Sequence, residues 1–158
     1  MRADLPGVFR IEAGVPQDVD LLLRLIKALA EYEQLPHEVT ATTEQLRESL
    51  FGATPAAEVV VARVGAEPVG FALFFTNFST FLAQPGLYLE DLYVKPAHRS
   101  HGIGEALLTR LARLAVERNY GRFEWSVLDW NEHAIRFCQR MGAAVMPDWR
   151  MCRLPGDA

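Results

Sequence analysis

From Val94 to Leu107 the chain reads Val-Lys-Pro-Ala-His-Arg-Ser-His-Gly-Ile-Gly-Glu-Ala-Leu, a spacing suited to holding a phosphate. An apolar, strand-forming run from Leu87 to Val94 stops at a turn containing Pro96. A basic loop follows and opens directly into an amphipathic segment that predicts a helix to Arg118. A strand, a loop with little side chain and a helix N-terminus together present bare N–H groups and the positive end of a helix dipole to an anion. Gly102 and Gly104 let an anion come close to the backbone, and Arg99 adds a charged donor that matches phosphate oxygens. Two other phosphate loops are excluded. A dinucleotide fingerprint needs a small residue where Leu107 stands, and a Walker loop needs Gly-Lys-Ser/Thr after four residues. The plain alternative is a tight turn before a helix.

The elements that must carry this loop follow from periodicity. Phe9 to Ala13 reads as a short strand. Pro16 suits a first helical turn, and Val19, Leu22, Leu23, Ile26, Leu29 and Ala30 recur at helical spacing to about Tyr32. Thr42 followed by Gln45 predicts a capping box at the start of a second helix. Glu58 to Val64 and Val69 to Asn77 are β-rich and joined by Gly65-Ala66-Glu67-Pro68, which predicts an antiparallel hairpin. After the helix to Arg118, Phe123 to Leu128 reads as a strand and Glu132 to Met141 as a helix ended by Gly142. Trp149 to Leu154 reads as a last strand. The order β-α-α-β-β-β-α-β-α-β implies an α/β fold with a mixed, mostly antiparallel central sheet flanked by helices, and one domain over residues 1–158.

Composition narrows the function classes. The chain has 158 residues, half of them hydrophobic and 23% charged, the profile of a globular enzyme. A formal net charge of −4 argues against a nucleic-acid partner and permits a cationic substrate. Apolar runs fall short of the roughly 20 residues of a membrane span, and the N-terminus lacks a signal-peptide core, so no membrane partner is expected. Cys138 and Cys152 give no disulfide framework, which makes a reducing, cytoplasmic location the default. His98 and His101 lie in a turn without two further ligands nearby, so no metal is expected and both read as solvated.

Val94, Pro96, Arg99, Gly102, Gly104, Ala106 and Leu107 stand in register with Val-x-Pro-x-x-Arg-x-x-Gly-x-Gly-x-Ala-Leu. This resembles motif A of the Gcn5-related N-acetyltransferases (GNAT), whose loop cradles the pyrophosphate of acetyl-coenzyme A. The resemblance implies a GNAT-like fold, acetyl-coenzyme A as the acetyl donor, and donor contacts at Leu92, Tyr93, Val94, Arg99, Ser100, His101, Gly102, Ile103, Gly104 and Glu105. Ser100 stands where close relatives often carry Gly. Oxyanion stabilisation is expected from backbone N–H groups near Leu92 to Val94, where the superfamily's strand splays from its neighbour.

A second set of residues resembles the diamine acetyltransferases, that is, the spermidine/spermine enzymes and their thialysine-acetylating relatives. It comprises Leu23 to Glu33, Leu87 to Val94, and Trp130-Asn131-Glu132 ahead of Phe137. The likeness runs from about Phe9 to Leu154. It implies transfer of acetyl to a primary amine of a small cationic substrate (thialysine, a diamine or a polyamine) by direct attack in a ternary complex, in a homodimer. Glu90 matches the position that takes the amine's proton through water; it can equally hold the ammonium by charge alone, or do both. On strict strand alternation Asp91 points to the other face. Asp91, Tyr32, Glu33, Trp125, Ser126 and Trp130 match substrate contacts, against plain readings of a helix end for Tyr32-Glu33 and of core for Trp125. Asn131 matches a contact of the pantetheine arm and Ala134 a further donor contact, and Asn131 also reads as a helix N-cap.

Two departures stand out. Where the family usually places a Tyr as the acid for the leaving thiolate, this chain has Cys138, whose reach is shorter than a phenol's. It reads as a small buried residue, an acid or a covalent nucleophile, with Tyr93, Tyr120 or water as other proton sources, or with the thiolate leaving unassisted. Asn77-Phe78-Ser79-Thr80-Phe81 lacks the Asp expected in polyamine-specific relatives, which favours shorter amines. The rival functions are a non-catalytic acyl-coenzyme A binding module and an acetyltransferase of protein amines.

Overall fold

Five strands form one sheet in the order β1-β2-β3-β4-β5: β1 (Arg10–Ala13), β2 (Glu58–Val64), β3 (Glu67–Ser79), β4 (Gln84–Val94) and β5 (Phe123–Trp125). Helices α1 (Val19–Tyr32) and α2 (Thr43–Phe51) lie between β1 and β2 in sequence, α3 (Ile103–Glu117) connects β4 to β5, and α4 (Glu132–Arg140) follows. The computed structural model describes residues 8–156, which divide into two compact units meeting in sequence at Ser126 and Val127. The first four strands pair antiparallel in succession, and β4 and β5 pair parallel across the α3 crossover. The mixed sheet anticipated above is therefore present.

In the first unit, β2 and β3 are apolar over consecutive residues because helices cover both faces of the sheet. Val59, Val61, Phe71, Leu73 and Tyr93 form one core cluster with Leu22, Leu25 and Leu29 of α1 and Leu50 of α2. Val60, Ala62, Ala72 and Phe74, one step out of phase, are also buried and belong to the opposite face. The helix α3, which crosses the strands, buries Ile103, Leu107, Leu108, Leu111 and Ala115. The capping box at α2 forms as expected, with Thr42 Oγ1 accepting from Gln45 N and Gln45 Oε1 accepting from Thr42 N. Arg63 ties the start of the chain to β2, donating from Nη2 to both carboxylate oxygens of Asp18 at 2.7 Å while Asp18 Oδ2 accepts from Val15 N. Arg118, just past α3, makes a two-pronged pair with Glu58 at the start of β2.

In the second unit α4 ends as its sequence predicts. Gly142 has φ +90°, and Ala143 N donates to Cys138 O, closing the last turn. Two expectations fail. The strand begun at Phe123 stops at Trp125 rather than Leu128. The strand over Trp149–Leu154 does not form: these residues are outside any ladder, and Trp149, Met151 and Leu154 are 76%, 73% and 89% exposed. Strand propensity is realised only where neighbours pair the backbone and cover a face, and neither happens here among the described residues. The observed order is thus β-α-α-β-β-β-α-β-α. Among the described residues no helix is long and apolar enough to cross a membrane.

Candidate active site

The glycine loop is built as the spacing implies. Gly102 adopts φ +82° and caps α3 without a side-chain acceptor for the first N–H groups. The first helical bond runs from Ala106 N to Gly102 O, so the N–H groups before it have no partner within the helix. A Cβ placed on Gly102 would meet no atom within 4 Å, so the volume above the loop is open to an incoming group. Ser100 also lies at positive φ, +66°. It therefore holds a left-handed backbone at a cost of about 1 kcal/mol that Gly would avoid. His101 is exposed, whereas His98 is half-buried, with a buried Nδ1 that has no hydrogen-bond partner; for His98 this corrects the solvated reading, because the turn folds its ring inward. Arg99 does not extend into solvent. Its Nε donates to Val94 O at 2.8 Å, and its guanidinium lies over the rings of Tyr32 and Tyr93 at 5.1 and 5.4 Å.

Upstream of the loop, β4 opens on one side. Its parallel ladder with β5 covers only Leu87, Tyr88 and Leu89, opposite Phe123, Glu124 and Trp125. From Asp91 to Val94 the strand pairs with β3, and among the described residues no strand pairs its other edge. The splay cannot be read from composition, because it depends on where β5 ends. At the same point β4 bulges. Leu73 pairs with Asp91 and Phe74 with Leu89, which leaves Glu90 as an extra residue. Strict alternation is thereby broken, and the expectation that Asp91 points away from Glu90's surroundings does not hold.

The carboxyls of Asp91, Glu90 and Glu33 sense one another. Asp91 is pushed up to about 6, first by burial and then by the charges of Glu90 and Glu33. Glu33, just past α1, is also raised, by burial and then by Glu90. Asp91 therefore prefers its protonated form in the folded chain more than in the unfolded one. Its contribution to stability is fully present below the unfolded value near 4 and is lost as pH rises through about 6. Asp91→Asn should accordingly stabilise the protein by of order 2 kcal/mol at pH 7.5 and by much less at pH 4. Urea unfolding at both pH values checks this, and an equal or lower stability of the variant at pH 7.5 would contradict it.

Around the opening, Tyr88 and Ser126 share a hydrogen bond at 2.7 Å, and Tyr88 packs against Phe75. Tyr88 was not singled out in the sequence; only the hydrogen bond, past the end of the β4–β5 ladder, shows that it stands beside Ser126. Trp125 is half-buried against Phe123. Tyr120 stands away from the glycine loop. It bonds Thr76 beyond the C-terminal end of α3, about 20 Å of helix away from the glycine loop. Tyr93 is buried in the core cluster beneath Arg99.

In the second unit Asn131 accepts from Ala134 N at 3.2 Å and is buried. Its capping role is realised, and it consumes the Ala134 N–H. Trp130 is half-exposed, and Arg136 pairs with Glu132 on the same helix. Cys138 is buried at 6% exposure, as its packing reading requires. Cys138→Ala should retain activity within about threefold and lose about 1 kcal/mol of stability, the scale of a small core truncation. A loss of two orders of magnitude in a folded variant, or acetylated enzyme on intact mass, would instead assign it to the chemistry.

Fold and site together define an α/β protein that offers a bare helix N-terminus and an open strand edge beside a group of carboxylates. The chain belongs to the acetyltransferase (GNAT) family, whose pattern matches residues 23–143. It is an N-acetyltransferase. It is 34% identical to an L-ornithine N5-acetyltransferase of Arabidopsis thaliana, with 94% of this chain and 85% of that protein covered. It is 35% identical to a thialysine N-epsilon-acetyltransferase of Bos taurus, with 89% of each covered. Among solved structures, an integron cassette protein of V. cholerae matches 94% of this chain and 93% of its own with a TM-score of 0.78 at 24% identity, a likeness of fold.

Proposed function

We propose that the protein transfers acetyl from acetyl-coenzyme A to the primary amine of a small cationic substrate, by direct attack within a ternary complex. The observation that carries this reading is the arrangement along one strand edge. Glu90 and Asp91 stand at the β4 bulge, the unpaired edge runs on to Val94, and the uncapped N-terminus of α3 lies beyond it. Residues 90 to 94 span about 13 Å of extended strand, a length along which a donor could lie with phosphate at one end and thioester at the other.

The residues present suit that donor. First-turn N–H groups of α3 and the open space over Gly102 would receive the pyrophosphate, with Arg99 beside them. An alkylammonium has a pKa near 10.4 and must lose its proton before its nitrogen attacks the carbonyl carbon. Glu90, which is exposed, is the group assigned to accept that proton through water. Backbone N–H groups on the unpaired β4 edge would meet the developing oxyanion. The C–S bond then breaks and the coenzyme A thiolate leaves, taking its proton from water.

A small cationic amine is favoured because burial first, and then the charges of neighbouring carboxyls, raise Glu33 and Asp91, and a bound cation offsets both. The relatives named for ornithine and thialysine point the same way. Shorter amines are favoured over polyamines because the β3–β4 hairpin tip between Asn77 and Gln84 bears no carboxylate and exposes Phe78 and Phe81 instead. Thiol release from acetyl-coenzyme A with thialysine, ornithine, short diamines, spermidine and a lysine peptide tests the reading. Turnover is expected with one of the first three. Donor binding without turnover on any amine would support a non-catalytic module, and turnover on the peptide alone would support a protein substrate.

A further inference from the structure

We propose that Tyr32 is a positioning residue for the acetyl donor: it holds the Arg99 guanidinium at the phosphate loop, so that the end of α1 governs donor affinity through Arg99. This rests on the proposed function above, in which that loop receives the pyrophosphate. Tyr32 is the last residue of α1, and Arg99 lies in the loop that leads to α3. The Arg99 guanidinium carbon sits 5.1 Å from the Tyr32 ring centre and 5.4 Å from that of Tyr93, inside the range of a cation–π contact. Nε donates to Val94 O, which fixes the plane of the fork and reserves the terminal nitrogens for another acceptor.

The three restraints differ in kind. Tyr93 is a buried part of the core cluster, and Val94 O is backbone. Tyr32 is 38% exposed at a helix end, so its ring can be altered without opening the core. An arginine carries many rotamers, and holding it ready lowers the entropy lost when a phosphate binds. Family resemblance gives Tyr32 to the amine, whereas in this structure Arg99 already lies over the ring. The next residue, Glu33, is raised by burial and then by the charge of Glu90. The end of α1 thus touches the donor side through Tyr32 and the amine side through Glu33.

The test is a double-mutant cycle read by calorimetric titration with acetyl-coenzyme A, together with the KM of the panel amine that turns over best. Tyr32→Leu should weaken acetyl-coenzyme A about fivefold, equal to about 1 kcal/mol, and change the amine KM by less than about twofold. Tyr32→Phe, which keeps the ring, should restore donor affinity. In an Arg99→Ala background Tyr32→Leu should have no further effect. A raised amine KM with unchanged donor affinity, a Phe variant as weak as the Leu variant, or an equal loss with and without Arg99 would each overturn the proposal. If Arg99→Ala weakens the donor and Tyr32→Leu does not, the positioning role alone fails. If Arg99→Ala leaves donor affinity unchanged, the phosphate-loop reading fails and takes this proposal with it.

Discussion

Gly102→Val should weaken acetyl-coenzyme A binding about 100-fold while the protein stays folded. Two effects act in the same direction. At φ +82° an L-residue costs about 1–2 kcal/mol, so a valine pulls the loop toward another backbone shape. Its Cβ and methyl groups also enter the open volume that the anion would use, since apart from Gly102 and its chain neighbours no described atom lies within 4 Å of that position. Losing one or two charge-assisted hydrogen bonds at about 1.5–3 kcal/mol each gives the stated factor. Gly104→Val separates the two effects. Gly104 sits in the first turn of α3 and is not at positive φ, so occupancy acts there without left-handed strain. Titration calorimetry with acetyl-coenzyme A, beside circular dichroism to establish folding, gives the answer. Unchanged affinity in a folded Gly102→Val would remove the anion cradle.

Glu90→Gln should lower kcat/KM for the amine about 100- to 1000-fold at pH 7, the range of a lost general base. Glutamine keeps the shape and an acceptor but can neither take up a proton nor balance an ammonium. If proton transfer dominates, kcat falls and recovers in part as pH rises toward the amine's own pKa. If charge recognition dominates, the amine KM rises and pH rescues little. A second consequence follows from the carboxylate group. Glu90's charge helps to hold Asp91 up at about 6, so its removal lets Asp91 ionise at lower pH. The acid-side unfolding profile should shift with it. Wild-type kinetics for Glu90→Gln across pH 6 to 10 would exclude both roles.

The shape of the glycine loop was legible in the sequence because it depends on local backbone. Gly102 at positive φ, the helix that starts at Ile103 and the capping box at Thr42 are each decided within a few residues. The hairpin at Gly65-Ala66 and the order of the first nine elements were legible for the same reason. Nonlocal pairing was not. The bulge that frees Glu90 from strict alternation is a mismatch of count between β3 and β4, and the open edge from Glu90 to Val94 exists because β5 stops at Trp125. The expected strand over Trp149–Leu154 failed on the same ground, since its residues have β-propensity and no ladder among the described residues. Tyr32 and Arg99 are 67 positions apart, and nothing local brings them together. By itself the sequence determined local backbone, that is, the glycine turn, the helix starts and the caps. Only the tertiary structure decided which carboxylates share a field and which rings lie beside the arginine, because electrostatic coupling and packing depend on distance in space.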